Sequence, residues 1–226
     1  MAADDRLLPS IQPAARLAGN GSSSEGQVNQ TLRSVSALFA ALPCPWCFCG
    51  GWAIDLFLGR VTRPHKDVDV AILRRDQLLG RSYLRERGWH LEVAADGGFL
   101  PWPDGVVLET PLHTVWCKHD GFDPPFVEVL LNEADGGRFV FRRNRSLTLP
   151  LERAFLRSAD GLPFLAPEVV LLYKSSHAEE YREDFQATAP TLGRLSRAWL
   201  TDAFVTLRPD HPWLGGLALR GEADEQ

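Results

Sequence analysis

Apolar residues along this chain follow two spacings, and the alternation between them predicts interleaved helices and strands. Helical spacing, with apolar residues three or four apart, is clearest between Asn29 and Leu42, and Pro43 ends that helix. The strand-like runs are short and apolar and are bounded by Gly, Pro or charged residues. In chain order the pattern predicts a helix at 29–42, a strand at 46–49, a helix at 53–58 capped by Gly59, a strand at 68–73, a helix at 77–87, a strand at 89–94, and extended runs at 106–109, 114–118 and 125–131.

Beyond the last of these strands the pattern becomes helical. Helices are predicted at 151–157, from Pro167 past Tyr173, and around 194–207. This order predicts an α/β (α+β) chain with a mixed-sheet domain at 29–144 and a small helical region at 145–226. Residues 1–28 are rich in Ala, Gly, Ser and Asn, and we expect them to form a disordered extension.

Composition narrows the class of protein. The 226 residues are 45% hydrophobic and carry a formal net charge of −5, which is ordinary for a globular protein. This acidic balance argues against gripping a nucleic-acid backbone, so no nucleic-acid partner is expected. No apolar run is long enough to cross a bilayer and no signal segment opens the chain, so we expect a cytoplasmic protein without a membrane partner. Clustered Cys44, Cys47 and Cys49 are interpreted as buried structural thiols, with a metal or redox role as the alternative.

Two features between residues 50 and 69 indicate phosphate and metal chemistry. Gly50 and Gly51 form a turn between a strand and a helix, where backbone N–H groups can approach a phosphate; a simple tight turn is the structural alternative. Asp67 and Asp69 open the next strand and point to the same face. Two adjacent carboxylates are costly unless a cation lies between them, and Mg²⁺ shared with nucleotide phosphates would remove that cost. A solvated turn is the alternative for this pair.

A third acid is expected in the run at 125–131. Glu128 lies between apolar neighbours, where burying an unpaired carboxylate is expensive. If its strand lies beside that of Asp69, Glu128 could join the same metal cluster or accept a proton from an attacking hydroxyl. Glu109 is the rival for this role, and a water-facing edge position is the structural alternative for Glu128.

Basic residues between the glycine turn and the acid pair are candidates for contacting phosphate. They are Arg60, Arg63 and His65, and we expect at least one of them to bind the nucleotide. Asp55, on the helix after the turn, could orient the turn, or could be an ordinary helix N-terminal acid.

The helical region offers further candidates. Lys174 and His177 lie on one face of the helix that follows Pro167, and Lys174 could reach a triphosphate. Complementing the helix dipole is the alternative for Lys174. Asp184 could contact a cationic substrate, or lie on a solvated face.

The segment from Gly50 to Asp69 resembles the signature of the nucleotidyltransferase superfamily in its antibiotic-modifying branch. Its residues are similar to the pattern of the aminoglycoside 2''-adenylyltransferases and lincosamide nucleotidyltransferases, which is Gly-Gly-Trp-Ala-(Ile/Leu)-Asp followed by Arg-x-His-x-Asp-(Ile/Leu/Val)-Asp. Segment 126–133 is similar to the strand that supplies the third carboxylate, and segment 165–174 to the first helix of the substrate-side region. Two departures stand out: Gly51 occupies a position where many superfamily members carry Ser, and Glu128 one where the 2''-adenylyltransferases tend to have Asp.

The resemblance implies a mixed-sheet nucleotidyltransferase domain and magnesium-dependent transfer of AMP from ATP to a hydroxyl of a small, aminoglycoside-like molecule. It implies that Asp67 and Asp69 hold magnesium, that Glu128 is a metal ligand or general base, and that Gly51 with its neighbours holds the nucleotide phosphates. Two alternatives remain open: a toxin-type transferase that modifies a protein or RNA, and a nucleotide-binding protein of the same fold without turnover.

Overall fold

The computed structural model describes residues 23–95 and 98–218. Residues 1–22 of the extension predicted at 1–28 therefore lie outside the described residues. The chain divides into two compact units, Met1–Ala166 and Pro167–Gln226. The described helices are α1 (Ser23–Phe39), α2 (Gly50–Leu58), α3 (Gln77–Arg85), α4 (Leu151–Ala154), α5 (Pro167–Lys174), α6 (Arg182–Thr188), α7 (Arg194–Leu207) and α8 (Leu214–Leu217).

A mixed sheet organises the first unit. Its described strands are β1 (Trp46–Phe48), β2 (Asp69–Leu73), β3 (His90–Ala95), β4 (Gly98–Pro101), β5 (Thr114–Lys118), β6 (Phe126–Asp135), β7 (Arg138–Val140), β8 (Thr148–Pro150), β9 (Phe155–Arg157) and β10 (Pro163–Leu165). The main order is β4-β3-β5-β6-β2-β1-β10-β9, and β7 pairs with both β6 and β8. The pairs β2/β6 and β1/β10 are parallel and the others antiparallel. The predicted mixed-sheet α/β class is confirmed.

The two faces of the sheet differ at its centre. Trp46 and Ile72 are cross-strand partners on one face, which α1 and α3 cover. Phe39 of α1 packs its ring 5.3 Å from that of Trp46, and Gly80 of α3 lies against Ile72. Asp69 alternates with Val70 along β2 and therefore points to the opposite face.

The second unit is helical, as the pattern beyond Pro167 predicted. Its core stacks aromatic rings: Phe185 lies on Trp213 with ring centroids 4.5 Å apart, and Phe204 lies on His211 at 4.3 Å. The His211 ring also bonds the backbone oxygen of Ser175 through Nε2 at 3.0 Å. Because this imidazole is almost fully buried and hydrogen-bonded, it serves packing.

Three element predictions differ from the structure. The helix predicted at 151–157 ends at Ala154, and Phe155–Arg157 forms β9, since it pairs with β10 across a turn at Gly161. The run at 106–109 is a loop: Leu108 donates its N–H to Gln77 Oε1 and gives its carbonyl to Arg74, so side chains take the bonds that a strand would use. The first helix begins at Ser23, earlier than the predicted residue 29.

The boundary between the units also lies later than the predicted one after residue 144. Strands β8, β9 and β10 all follow that residue, and β10 pairs in parallel with β1, which places this stretch in the sheet unit. Short apolar runs such as Pro163–Leu165 carry no period of their own, so only a partner strand makes them β structure.

The four cysteines, Cys44, Cys47, Cys49 and Cys117, are buried thiols. Burial raises the pKa of Cys44 to about 12, so its thiol stays protonated at neutral pH. Among the described residues, no helix has both the length and the apolarity needed to span a bilayer.

Candidate nucleotide and metal site

Strand register brings three acids together. Asp69 on β2 and Glu128 on β6 are direct partners in the parallel β2/β6 pair, so their side chains lie side by side on the face away from α1 and α3. Asp67 precedes β2 by two residues. One carboxylate oxygen from each of the three residues lies within 4.8 Å of the others. Oxygen ligands at this spacing suit a hard divalent cation.

Backbone hydrogen bonds fix the position of these acids. Glu128 donates its N–H to Val68 O at 2.9 Å, which locks β6 beside the residue between Asp67 and Asp69. Cys49 donates its N–H to Asp69 O at 2.9 Å, and Trp52 donates its indole N–H to Asp67 O at 2.8 Å. The start of α2 is thereby attached to both aspartates.

Glu128 is the most perturbed of the three acids. Burial raises the pKa of its carboxyl, and the negative charge of Asp67 raises this pKa further, whereas hydrogen bonds shared with the side chains of Asp69 and Thr114 lower it. Ionising this carboxyl is therefore costly without a compensating cation. Glu109, the rival third acid, is exposed in the loop before β5, and it is not a member of the cluster found among the described residues.

The glycine turn lies directly against the acids. Gly50 has φ +60, and a β-carbon built there would lie 1.9 Å from Asp69 Oδ2. Gly50 and Gly51 also form the first turn of α2, whose N-cap side chain makes no capping hydrogen bond. Backbone N–H groups at such a helix start are available to an anion, and here they adjoin a carboxylate cluster.

His65 and Arg63 occupy the space beside Gly51. A β-carbon at Gly51 would lie 2.5 Å from two atoms of the His65 ring and 2.9 Å from Arg63 Nη2. This explains the departure from the serine of many superfamily members, since a serine side chain would need the place of the imidazole. Arg60, the third basic candidate, is exposed.

A buried network holds the imidazole in place. His65 Nε2 lies 2.5 Å from Asp55 Oδ2, and both side chains are less than 5% exposed. The other carboxylate oxygen of Asp55 accepts bonds from the backbone N–H and the hydroxyl of Thr62. The ring of Trp52 packs on His65 with centroids 4.2 Å apart. Asp55 thus positions the residues around the turn, and Thr62, which the sequence reasoning did not single out, is part of this network.

The candidates in the helical unit pair with each other. Lys174 Nζ lies 2.9 Å from Asp184 Oδ2, and it also lies over the ring of Tyr181 at 3.7 Å. The Asp184 side chain is 3% exposed, so this acid belongs to a buried ion pair. His177 is exposed and bonds Ser176.

Sequence comparison identifies one related family. Residues 31–101 match the family model described as aminoglycoside-2''-adenylyltransferase, a range that includes the glycine turn, Asp67 and Asp69 and ends before Glu128. None of the curated proteins matches the chain at the sequence level.

Solved structures share the fold over a larger part of the chain. The crystal structure of ANT(2'')-Ia in complex with adenylyl-2''-tobramycin is 15% identical, covers 79% of this chain and 99% of its own, and superposes with a TM-score of 0.54. A solution structure of ANT(2'')-Ia is 16% identical, covers 82% of this chain and 94% of its own, and superposes with a TM-score of 0.54. The crystal structure of the lincosamide adenylyltransferase LnuA, bound to lincomycin, is 19% identical, covers 70% of this chain and 94% of its own, and superposes with a TM-score of 0.50.

At these identities the structures show a shared fold, and the family match adds sequence similarity around the turn and the first two acids. The chain therefore has the nucleotidyltransferase fold, and the predicted resemblance to enzymes of the antibiotic-modifying branch of that superfamily is confirmed.

Proposed function

We propose that this protein is a magnesium-dependent nucleotidyltransferase that moves AMP from ATP to a hydroxyl of a small, aminoglycoside-like molecule. The observation that carries the proposal is the three-acid cluster next to a glycine turn at a helix N-terminus. Phosphoryl-type transfer needs a bound metal ion and groups that position the phosphates. The carboxylate cluster would hold the metal, and the adjacent backbone N–H groups would bind the phosphates.

Asp67, Asp69 and Glu128 suit magnesium. They offer three carboxylate oxygens within 4.8 Å of one another, and the charge of Asp67 already disfavours ionisation of Glu128. A divalent cation would relieve that repulsion. When bound, Mg²⁺ would neutralise the charge of the triphosphate and of the leaving pyrophosphate.

In the proposed reaction the acceptor hydroxyl oxygen bonds to the α-phosphorus of ATP. The bond from the α-phosphorus to the oxygen that bridges to the β-phosphorus breaks, and pyrophosphate leaves with that electron pair. Glu128 takes the hydroxyl proton, or ligates the metal, while Asp67 and Asp69 hold the metal. Both roles are open to Glu128 because its strand register places it directly beside Asp69.

The phosphates are assigned to the start of α2. Backbone N–H groups of Gly50 and Gly51 would face them, and Arg63 and His65, which lie against Gly51, would add positive charge or donors. Lys174 stays a predicted nucleotide contact, although within its own unit its charge is paired with Asp184.

The acceptor assignment follows the relatives. The two solved structures named for their complexes hold adenylyl-2''-tobramycin and lincomycin, both small hydroxylated molecules. The net charge of −5 is compatible with a cationic acceptor. We place the reaction in the cytoplasm, where ATP and magnesium are available.

Pyrophosphate release tests the proposal. Purified protein with ATP, Mg²⁺ and a panel of hydroxylated acceptors that includes tobramycin and lincomycin is expected to release pyrophosphate. Asp69→Asn is expected to lower the rate by about 10³-fold, since it removes a metal ligand and its charge. Absence of release across a broad panel would contradict small-molecule transfer. Labelled nucleotide appearing on protein or RNA in a lysate would favour the toxin-type alternative, and ATP binding without turnover would favour a sensor.

A further inference from the structure

The proposed site continues along the sheet into an aromatic surface. Trp116 on β5 is the direct cross-strand partner of Glu128, so the two side chains lie on the same face. Directly opposed residues of an antiparallel pair have β-carbons about 4.5–5.5 Å apart, which is about the width of one six-membered ring. The indole of Trp116 is half-buried and lies next to the carboxylate that would receive the hydroxyl proton.

Two more rings extend this surface. Phe99 of β4 lies 4.1 Å from Trp116 between ring centroids, reaching across β3 at the small side chain of its partner Ala94. Phe126 of β6 contacts Trp116 edge-on at 5.1 Å. Phe99 is 45% exposed, and Trp116 and Phe126 are half-buried, so all three side chains are partly accessible. We call Phe99, Trp116 and Phe126 the aromatic platform.

Two charged side chains beside the platform neutralise each other. Lys118 on β5 donates to Glu92 on β3, with Nζ 2.6 Å from Oε2. This pair offers no unbalanced charge to an incoming molecule. An aromatic surface bordered by this neutral ion pair on one side and by Glu128 on the other suits a ring with an apolar face and hydroxyls at its rim.

The order of strands decides which substrate lies there. The sheet runs β5-β6-β2-β1, so Trp116 lies on one side of Glu128 and Asp69, and the glycine turn after β1 lies on the other. In phosphoryl-type transfer the attacking and leaving oxygens are roughly in line through phosphorus. If pyrophosphate leaves toward the glycine turn, the attacking hydroxyl comes from the side of β5.

We propose that the aromatic platform binds the acceptor, and that this acceptor presents a hydroxylated saturated ring, a sugar or cyclitol, whose C–H face stacks on Trp116. The inference rests on the proposed function for the position of the donor. It assigns Trp116 as the residue that sets acceptor affinity, with Glu128 receiving the proton from a hydroxyl at the rim of the stacked ring.

Kinetics of variants test this inference. Trp116→Ala is expected to raise the KM of the acceptor, tobramycin or lincomycin, by about tenfold or more, a loss typical of one aromatic stacking contact. The KM for ATP and calorimetric binding of Mg·ATP should stay unchanged, and Trp116→Phe should retain most acceptor affinity. Trp46→Ala is the matched control, because Trp46 is a half-buried tryptophan of the same sheet on the opposite face.

The outcomes separate the two proposals. Pyrophosphate release with an acceptor KM that Trp116→Ala leaves unchanged would overturn the platform and keep the transferase. A selective rise in the KM for ATP would assign the platform to the adenine of the donor and would also overturn the inference.

A direct measurement covers the case in which neither probe is turned over or Trp116→Ala fails to fold. In wild-type protein labelled with 5-fluorotryptophan, the ¹⁹F signal that disappears in Trp116→Phe belongs to Trp116. That signal is expected to shift when tobramycin or lincomycin is added with Mg²⁺ and a non-hydrolysable ATP analogue. No shift with either probe, or a shift only with single-stranded RNA, would overturn the inference.

Discussion

Gly50 lies so close to Asp69 that a β-carbon at residue 50 would lie 1.9 Å from Asp69 Oδ2. The glycine therefore does two things at once: it adopts a positive φ, and it leaves room for a carboxylate of the proposed metal site. Gly50→Ala is expected to displace the Asp69 carboxylate, weaken magnesium binding and lower pyrophosphate release by about 10²-fold or more, as expected when catalytic geometry shifts by an ångström.

The control for Gly50→Ala is Gly105→Ala. Gly105 has φ +69, close to that of Gly50, but no atom of the described residues lies within 4 Å of an added β-carbon. Both substitutions cost about 1–2 kcal/mol of stability through the left-handed backbone. Only the first should affect magnesium affinity, measured by calorimetry, and equal effects of the two variants would show that strain alone matters.

Gly51 and His65 are expected to be energetically coupled. Gly51→Ser forces its β-carbon against an imidazole that Asp55 and Trp52 hold in place, so stability and activity should both fall. His65→Ala opens that space, and the double variant should be less impaired than the sum of the single variants. A coupling energy of about 0.5–3 kcal/mol in urea unfolding is typical of residues in contact. Additive effects would mean that the helix start moves away from the ring at no cost.

Magnesium should change the pH dependence of stability through Glu128. Without a divalent cation the pKa of Glu128 is raised in the folded protein, so the folded state holds this proton more tightly than the unfolded chain does. The stabilisation is complete below the ordinary pKa of glutamate and is lost as the pH rises through the raised value.

The comparison with Glu128→Gln isolates this contribution. The free energy of unfolding of the wild type, relative to the variant, should decline over that pH interval in chelator, and saturating Mg²⁺ should abolish the decline. Urea unfolding across the pH range measures both curves. A relative stability that rises with pH in chelator would contradict the assignment of a strained, uncompensated carboxylate.

The ion pair of Lys174 and Asp184 is expected to stabilise the helical unit. Lys174→Met removes the cation that lies 2.9 Å from the buried Asp184 carboxylate, which costs about 3–5 kcal/mol, whereas Lys174→Met with Asp184→Leu should recover most of the loss. The exposed pair of Arg182 and Glu179 in the same unit is the control, and Arg182→Met should cost about 1 kcal/mol or less. In the recovered double variant, an unchanged KM for ATP would contradict the predicted nucleotide contact of Lys174.

The parts of the site that are close together in the chain could be predicted from the sequence. The turn, Asp67 and Asp69 lie within twenty consecutive positions, and the alternation of β2 is enough to place both aspartates on one face. Glu128 could be named because an acid in a very apolar strand needs a partner. Its neighbours Thr114 and Trp116 could not, because only the β5/β6 register brings them beside it.

The same distinction explains the misses in the fold. Residues 155–157 and 163–165 form strands because they pair with each other, and 163–165 also pairs with β1. Runs of three residues are too short to show a strand-like hydrophobic period, so the sequence does not predict these strands. The partnership of Lys174 with Asp184 likewise depends on how α5 and α6 pack. Such packing depends on the whole folded unit, so the local pattern of hydrophobic and polar residues does not predict it.

The parallel pairing of β2 with β6 also has a consequence for how the protein reaches its native state. Three strands, β3, β4 and β5, intervene in the chain between Asp69 and Glu128, so their contact is among the non-local ones that form slowly. A partly folded chain can hold two of the acids but not the third. The protein would then become active only when β6 pairs with β2 in the central sheet. During refolding, the rate at which pyrophosphate release recovers would measure the rate of that pairing.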